Sequence, residues 1–375
     1  MRFSVLLGVM LLGVLSAKGQ NTFNFDGQLS GVANWSPEAD AWGLLNGRYL
    51  PELNYDWKLD TTHNWYFEAS ANIYGSSTFY NDSTILDGNV SPYRIWTRFS
   101  GRNYEVRLGL QKIDFGSATL LRPLQWFNQI DPRDPLQLTN GVNAVLGRYY
   151  FLNNANIWIW GLYGNEKTRG FYATKTYHKH PEFGGRFQYP VPKGELALSY
   201  HHRTADAHQI FNQNTFEKIP ENRIGLDGKW DVEIGLWFEA SYINKSKDVG
   251  LLTNQTLLNI GTDYTIGIGN GLNIVAEHLI TSANNNNWEN STNAHITAST
   301  ISYPLALYDN LSTVLYYNWP TNDFTFFLNY SHQFTKITAY AMAFYNPRNQ
   351  EGVQQNELVN NFSGPGIRFM LVYNH

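Results

Sequence analysis

Cysteine is absent from this sequence. Without a thiol the chain can form no disulfide framework, carry no lipid on a cysteine, and build no zinc or iron–sulfur site on thiolates. Long apolar runs are nearly absent too. Only Phe3 to Leu15 is continuous, and it falls short of the ~18–20 residues that a spanning helix needs. Arg2 precedes that run and the small residues Ala17 and Gly19 follow it, the pattern of a secretory signal cut after Gly19. Residues 1–19 are therefore expected to be a signal peptide, and 20–375 to have no helix able to cross a bilayer. A strong charge of one sign is missing as well. Setting aside Arg2 and Lys18 leaves 25 bases against 31 acids, too mild an imbalance to suggest a nucleic-acid partner.

Aromatic residues, by contrast, are plentiful at 15%, while mean hydropathy is only −0.37. The stretch GRYLPELNYDWKLD at 47–60 shows how the two coexist. Tyr49, Pro51, Leu53, Tyr55, Trp57 and Leu59 share one parity; Arg48, Glu52, Asn54, Asp56 and Lys58 share the other, with Leu50 the misfit. In an extended strand these sets point to opposite faces. The same alternation recurs from Phe23–Trp35 near the start to Ile367, Phe369, Leu371 and Tyr373 at the end, and no amphipathic helix of similar strength interrupts it.

Eighteen such segments can be traced, starting near 23, 47, 65, 92, 104, 142, 156, 183, 195, 222, 235, 256, 272, 297, 311, 324, 336 and 365. Short turns alternate with longer polar connections such as 76–91, 116–141, 164–182 and 204–221. Many apolar faces end in Trp or Tyr, residues suited to the membrane–water interface because one end is apolar and the other hydrogen-bonds. A soluble sandwich has no reason to place them there. The expectation is all-β: a transmembrane antiparallel β-barrel of about 18 strands (16–20) in a bacterial outer membrane, with short periplasmic turns and longer extracellular loops. The greasy face would meet outer-membrane lipids, and the terminal strand 367–375 would be the segment read by the barrel-insertion machinery. Whether one barrel acts alone or three together is open at this level.

The other parity lines the lumen. It places bases at Arg94, Arg98, Arg107, Arg148, Arg186, Arg203, Arg223 and Lys229, with acids on either side: Asp26, Glu52, Asp56 and Glu68 early, then Glu239, Asp263 and Glu277 later. A basic wall facing an acidic one would impose a transverse field on solutes. The alternative is that neighbouring Arg and Glu pair to brace the wall. The 116–141 loop mixes Leu120, Leu121, Leu124, Trp126 and Phe127 with Arg122, Asp131, Arg133 and Asp134, and is stiffened by Pro123, Pro132 and Pro135. So apolar a loop is expected to pack on the inner wall and narrow the lumen. The competing placement is folded over the rim. The histidines at 178, 180, 201, 202 and 208 are read as solvated loop groups rather than a metal site.

The text "YEVRLGLQKIDFGSATLLRPLQWFNQIDPRDP", with Arg107, Gly109, Gln111 and Gly116, followed by "GRYYF" and "NIWIWGLYG", resembles alginate-export-type porins among 18-stranded channels. The Asn- and Tyr-rich style looks like a Bacteroidetes outer-membrane protein. The family motif as such departs here, since the chain reads Gly109-Leu110-Gln111. What the resemblance implies is a passive channel for an unspecified solute; small polar or anionic solutes such as sugars or carboxylates are expected, with Gln111 among the pore-lining groups. Ser199 and His201 share an inward face, but no strand-end nucleophile stands out, so an enzyme is not expected and no cofactor or metal is called for. A surface barrel that binds or exports polysaccharide is the alternative.

Overall fold

The computed structural model describes residues 21–171, 174–206, 218–285, 292–347 and 363–375. The expected signal peptide at 1–19 lies outside them, as do parts of four long connections. The strands in order are β1 (Thr22–Trp35), β2 (Ala41–Lys58), β3 (Asn64–Tyr80), β4 (Thr84–Ser100), β5 (Tyr104–Gln111), β6 (Val142–Tyr150) and β7 (Asn156–Leu162). After a two-residue β8 (Lys175–Thr176) come β9 (Glu182–Val191), β10 (Gly194–Asp206), β11 (Ile219–Asp231), β12 (Gly235–Lys245) and β13 (Asn254–Ile266). The chain finishes with β14 (Leu272–Asn284), β15 (Thr292–Ala306), β16 (Asp309–Asn318), β17 (Asp323–Gln333), β18 (Ile337–Asn346) and β19 (Gly364–Asn374).

Leaving β8 aside, each strand pairs antiparallel with the next, β7 with β9 among them, and β1 pairs with β19 from Gln28↔Asn374 to Trp35↔Ile367, so the sheet closes on itself. The short β8 extends the β10 ladder beyond the end of β9, so the two occupy one stave and the barrel has eighteen. Closure matters physically, because an unpaired sheet edge cannot be satisfied in hydrocarbon. Parity decides the faces as the sequence suggested. Phe25, Leu29, Leu53, Leu108, Ile159, Leu226, Phe369 and Leu371 stand exposed on the outside, while Ser30, Asn34, Arg94 and Arg368 of the alternate set are buried within. Leu50, the misfit of the opening pattern, takes its inward position and is covered. Aromatics band both rims. Trp42 stacks on Phe79 at 5.5 Å near the extracellular ends, and Trp65 meets Phe67 and Phe99 at 5.9 and 5.2 Å near the periplasmic ones. Together these place the chain in a bacterial outer membrane.

One expected connection is not a loop. Residues 76–91 form the upper arms of β3 and β4, joined by a turn at 81–83, and β2 likewise begins at Ala41 rather than near 47. The apolar signal fades there because the outward positions are occupied by Gly47, Gly75, Ser77 and Gly88. A register shift between Ser70 and Ala71, opposite Arg94 and Pro92, also swaps the parity of β4 above Tyr93.

Candidate functional site

The fifth strand stops at Gln111, and the chain from 112 to 141 turns into the barrel instead of over its rim. Gly116 makes the entry: its φ is +103°, and a Cβ would strike the Glu239 carboxylate, so a side chain is excluded on both counts. Beyond it the loop crosses to the opposite wall and is held there by two carboxylates. Glu239 on β12 accepts the Ala118 N–H at 2.7 Å and the Leu124 N–H at 3.1 Å. Glu277 on β14 accepts the N–H groups of Thr119 and Leu121, both at 2.6 Å, and of Leu120 at 3.2 Å. It also takes the Thr119 hydroxyl, Trp237 Nε1 and Asn259 Nδ2 at 3.0–3.1 Å. A loop has no sheet to satisfy its amides, and anionic acceptors bond them about twice as strongly as neutral ones.

Apolar contacts complete the seating. Leu120 and Leu121 join a buried cluster with Ile243, Leu257, Leu279, Val314 and Phe327 from the far wall. Phe115, Trp126 and Phe127 wedge against Trp160 and His201 on the near side, with Phe115–Trp160 stacked at 5.6 Å and Phe127 edge-on to His201 at 5.0 Å. Trp126 Nε1 donates to Ser241 at 3.2 Å. The returning end of the loop is tied by Arg94, whose guanidinium donates to the Thr139 carbonyl and hydroxyl at 2.9 and 2.7 Å.

Within the loop the charges are largely self-satisfied. Asp131 receives Arg133 through two parallel bonds of 3.0 and 2.9 Å, both side chains being buried. Burial opposes the Arg133 charge, yet Asp131 overrides it and raises the guanidinium above its usual range. Asp114 pairs with Arg122 at 2.6 Å and with Lys112 at 3.4 Å. Burial alone would push that carboxyl up, but Arg122 and Lys112 hold it below its ordinary value. Asp134 goes the other way. Burial raises it despite N–H bonds from Leu136 and Leu138.

These contacts redistribute the residues expected to line a charged lumen. Arg186 is buried in a bidentate bond to Asp227 at 2.5 and 2.8 Å, so it is a brace and not a free lumen charge. Gln111 is buried and donates to the Ala144 carbonyl at 2.9 Å; it does not line a pore. Glu239 and Glu277 are turned into loop anchors, and Arg94, Arg122, Asp131 and Arg133 are taken up in seating the loop. Arg203 and Arg223 share the buried Glu221. Asp263 remains half-buried toward the periplasmic end of β13. The basic-against-acidic wall is thus mostly cross-strand pairing.

Three arginines stay partly open. Arg107 and Arg148 share Glu105 at 3.0 and 2.9 Å, and Arg98 lies in register with Arg107 on the next strand. Each guanidinium is backed by an aromatic ring: Arg98 by Tyr66 at 5.2 Å, Arg107 by Trp96 at 5.3 Å, Arg148 by Trp158 at 3.7 Å. Glu105 is shared by two of these cations, Glu68 on β3 also faces Arg107, and Glu52 and Asp56 lie beside Tyr66 and Arg98, so the three guanidiniums stand among acids on the periplasmic side of the loop. Glu105 was missed as a site residue, though it shares the inward parity of Arg107 two positions on.

The histidine reading needs correction. His201 is fully buried, accepting the Trp160 indole N–H on Nδ1 at 3.2 Å, which leaves Nε2 to donate to Glu182 at 3.2 Å. Its neighbour by parity, Ser199, bonds Arg186 instead.

Set against known proteins, no family model matches the chain and no curated protein matches it. Solved structures do. Salmonella typhi OmpF in complex with daunomycin aligns with a TM-score of 0.50 at 10% identity, covering 95% of this chain and 98% of that one. Vibrio cholerae OmpT, an in-vitro folded outer-membrane protein in trimer form, aligns with a TM-score of 0.52 at 8% identity, covering 95% and 100%. At such identities the likeness is one of fold, that of porin-type outer-membrane barrels.

Proposed function

We propose that this barrel is a passive outer-membrane channel for small polar or anionic solutes such as sugars and carboxylates, narrowed by the 112–141 loop. The observation that carries the reading is the trio Arg98, Arg107 and Arg148, partly open on the lumen wall below the loop, two of them sharing Glu105. An eighteen-stranded barrel is wider than its own wall side chains fill, so a path past the loop conducts. Arginine suits the task, since it stays charged and offers a planar fork of donors to a carboxylate. The aromatic rings behind each guanidinium hold it without neutralising it.

Planar-bilayer recording tests this. Purified protein should conduct, and its reversal potential in a salt gradient should favour anions. Replacing Arg98, Arg107 and Arg148 by Gln should move that potential toward cations. A protein that inserts but passes no current refutes the channel; an unchanged reversal potential refutes the role of the three arginines.

A further inference from the structure

Side chains that carry charge near neutral pH are few on the lipid face of β13–β17. Among the described residues the outward positions hold His278, His295, Asp309 and His332. Asp309 and His332 pair with each other at 2.7 Å at the periplasmic rim. His278 and His295 stand apart from them. Glu277 and Leu279 are buried on the inner face of β14, so His278 between them points to lipid. Ile296 and Ala298 are buried on β15, which turns His295 and Thr297 the same way. Register sets His278 opposite Thr297 and His295 opposite Ile280, and the two rings stand 5.7 Å apart. The pair lies at the extracellular girdle. The Trp319 N–H reaches the His295 carbonyl at 3.0 Å, and Tyr317, opposite Thr297, meets the Trp319 ring edge-on at 4.9 Å.

Thr297 organises the site. Trp319 Nε1 donates to its hydroxyl oxygen at 2.9 Å, and His278 Nδ1 lies 2.9 Å from the same atom. That hydroxyl gives its proton to a neutral Nδ1 and accepts one from a protonated Nδ1, so both charge states of His278 are accommodated. Among the described residues, Nε2 of His278 and both ring nitrogens of His295 bond nothing. Hydrocarbon cannot satisfy an N–H, whereas a headgroup oxygen can. The next outward pair toward the periplasm is Ala276 and Ser299, both small, with the Ser299 hydroxyl turned onto the Val275 carbonyl at 2.9 Å. A lipid tail can descend along that shallow strip from a headgroup held above it.

We propose that His278 and His295 form a binding site on the outer wall for the phosphate monoester of an outer-leaflet lipid, each ring donating an N–H to a phosphate oxygen. Two imidazolium groups at this spacing repel each other, and a phosphate monoester, with a charge of about −1.5 to −2 at pH 7, compensates both at once. A phosphodiester carries a single negative charge and compensates only one. No acid opposes the anion, since Asp309, the one carboxylate on these outward positions among the described residues, is at the other rim. A metal ion fits less well: a protein site needs three or four ligands, and among the described residues no third metal-ligating side chain joins the two histidines.

Native mass spectrometry of the full chain in mild detergent tests the site, with phosphatidic acid, phosphatidylglycerol and phosphatidylcholine as probes. Wild-type protein should retain phosphatidic acid at least fivefold more than the other two, and more at pH 6 than at pH 8, because imidazole gains its charge over that range. His278→Phe with His295→Phe, apolar rings suited to a lipid-facing girdle, should remove both the preference and its pH dependence while the barrel stays heat-modifiable. His332→Phe at the opposite rim should leave both intact. If the double variant fails to fold, His295→Leu alone, at a position with no side-chain hydrogen bond, should lower the preference at least threefold. Equal retention of the three lipids, or a preference that survives the loss of both histidines, would overturn the proposal. So would displacement of phosphatidic acid by millimolar inorganic phosphate, which would make the ligand a free ion, or loss of binding in EDTA, which would make the histidines metal ligands.

Discussion

Replacing Glu277 by Gln keeps the volume of the side chain and removes its charge. In the wild type this carboxylate receives three loop amides and one loop hydroxyl, besides Trp237 and Asn259. Bonds to a charged acceptor contribute ~1.5–3 kcal/mol and neutral ones ~0.5–1.5, so each loop bond weakens by about 1 kcal/mol. The amide NH2 of Gln also turns a donor toward donors, leaving a loop N–H unpaired at a further ~1–3 kcal/mol. Against this, a neutral group no longer bears the several-kcal/mol cost of burying an ion. The net loss of loop seating is about 2 kcal/mol, or roughly 30-fold in the ratio of released to seated loop. Glu239, Arg94 and the aromatic wedge still hold, so the seated form remains the major one. Single-channel recording should show large-conductance openings about 30 times as often as in wild type, with ion preference unchanged because the three open arginines are untouched. Limited proteolysis of folded protein should also cut within 112–141 faster. Identical opening statistics and identical cleavage would refute the idea that Glu277 carries the loop.

Three further outcomes follow from the same geometry. Gly116→Ala forces a Cβ into the Glu239 carboxylate at a backbone angle that disfavours it, and should raise mean conductance while the barrel keeps its heat-modifiability on gels. Asp134 is raised by burial, so the folded state holds its proton to higher pH than the unfolded chain does, and its contribution to stability falls as pH rises through that raised value. Asp134→Asn should then increase the melting temperature at pH 7 relative to wild type and narrow the difference at pH 4; a drop at pH 7 would contradict this. His375 continues the β1 ladder through Gly27, and its ring sits against Phe25 and Tyr49 at 5.4 and 5.9 Å, where a terminal aromatic would. Deleting 367–375 should abolish membrane-inserted protein, His375→Phe should preserve it, and normal insertion of the truncation would refute a role for this strand in assembly.

How much of this could be read from the chain varies with the range of the interaction. Parity is local: Leu53 faces out and Glu52 in because adjacent Cβ atoms of a strand point opposite ways, whatever the partner strands do. The eighteen staves and most of their boundaries were legible on that basis alone. The signal failed where outward positions hold Gly and Ser, as in the upper arms of β3 and β4. There the strands are kept by cross-strand hydrogen bonds that leave no apolar trace in the sequence.

The lumen was legible only as a list of charges. Parity states that Arg107, Arg186, Glu239 and Glu277 point inward, but not which of them meet. That depends on register between strands and on where the 112–141 loop lands, contacts separated by over a hundred residues for Ala118 and Glu239. Apolar anchors in the loop sufficed to send it inside, because burial of Leu and Trp is favourable wherever it occurs. Choosing its berth required acceptors at the right height on the far wall. The sequence by itself thus determined a closed amphipathic barrel, since alternation and rim aromatics act strand by strand. Only the tertiary structure decided which charges remain open. Electrostatic pairing falls off over a few ångströms, and those distances exist only once the sheet has closed and the loop has crossed it.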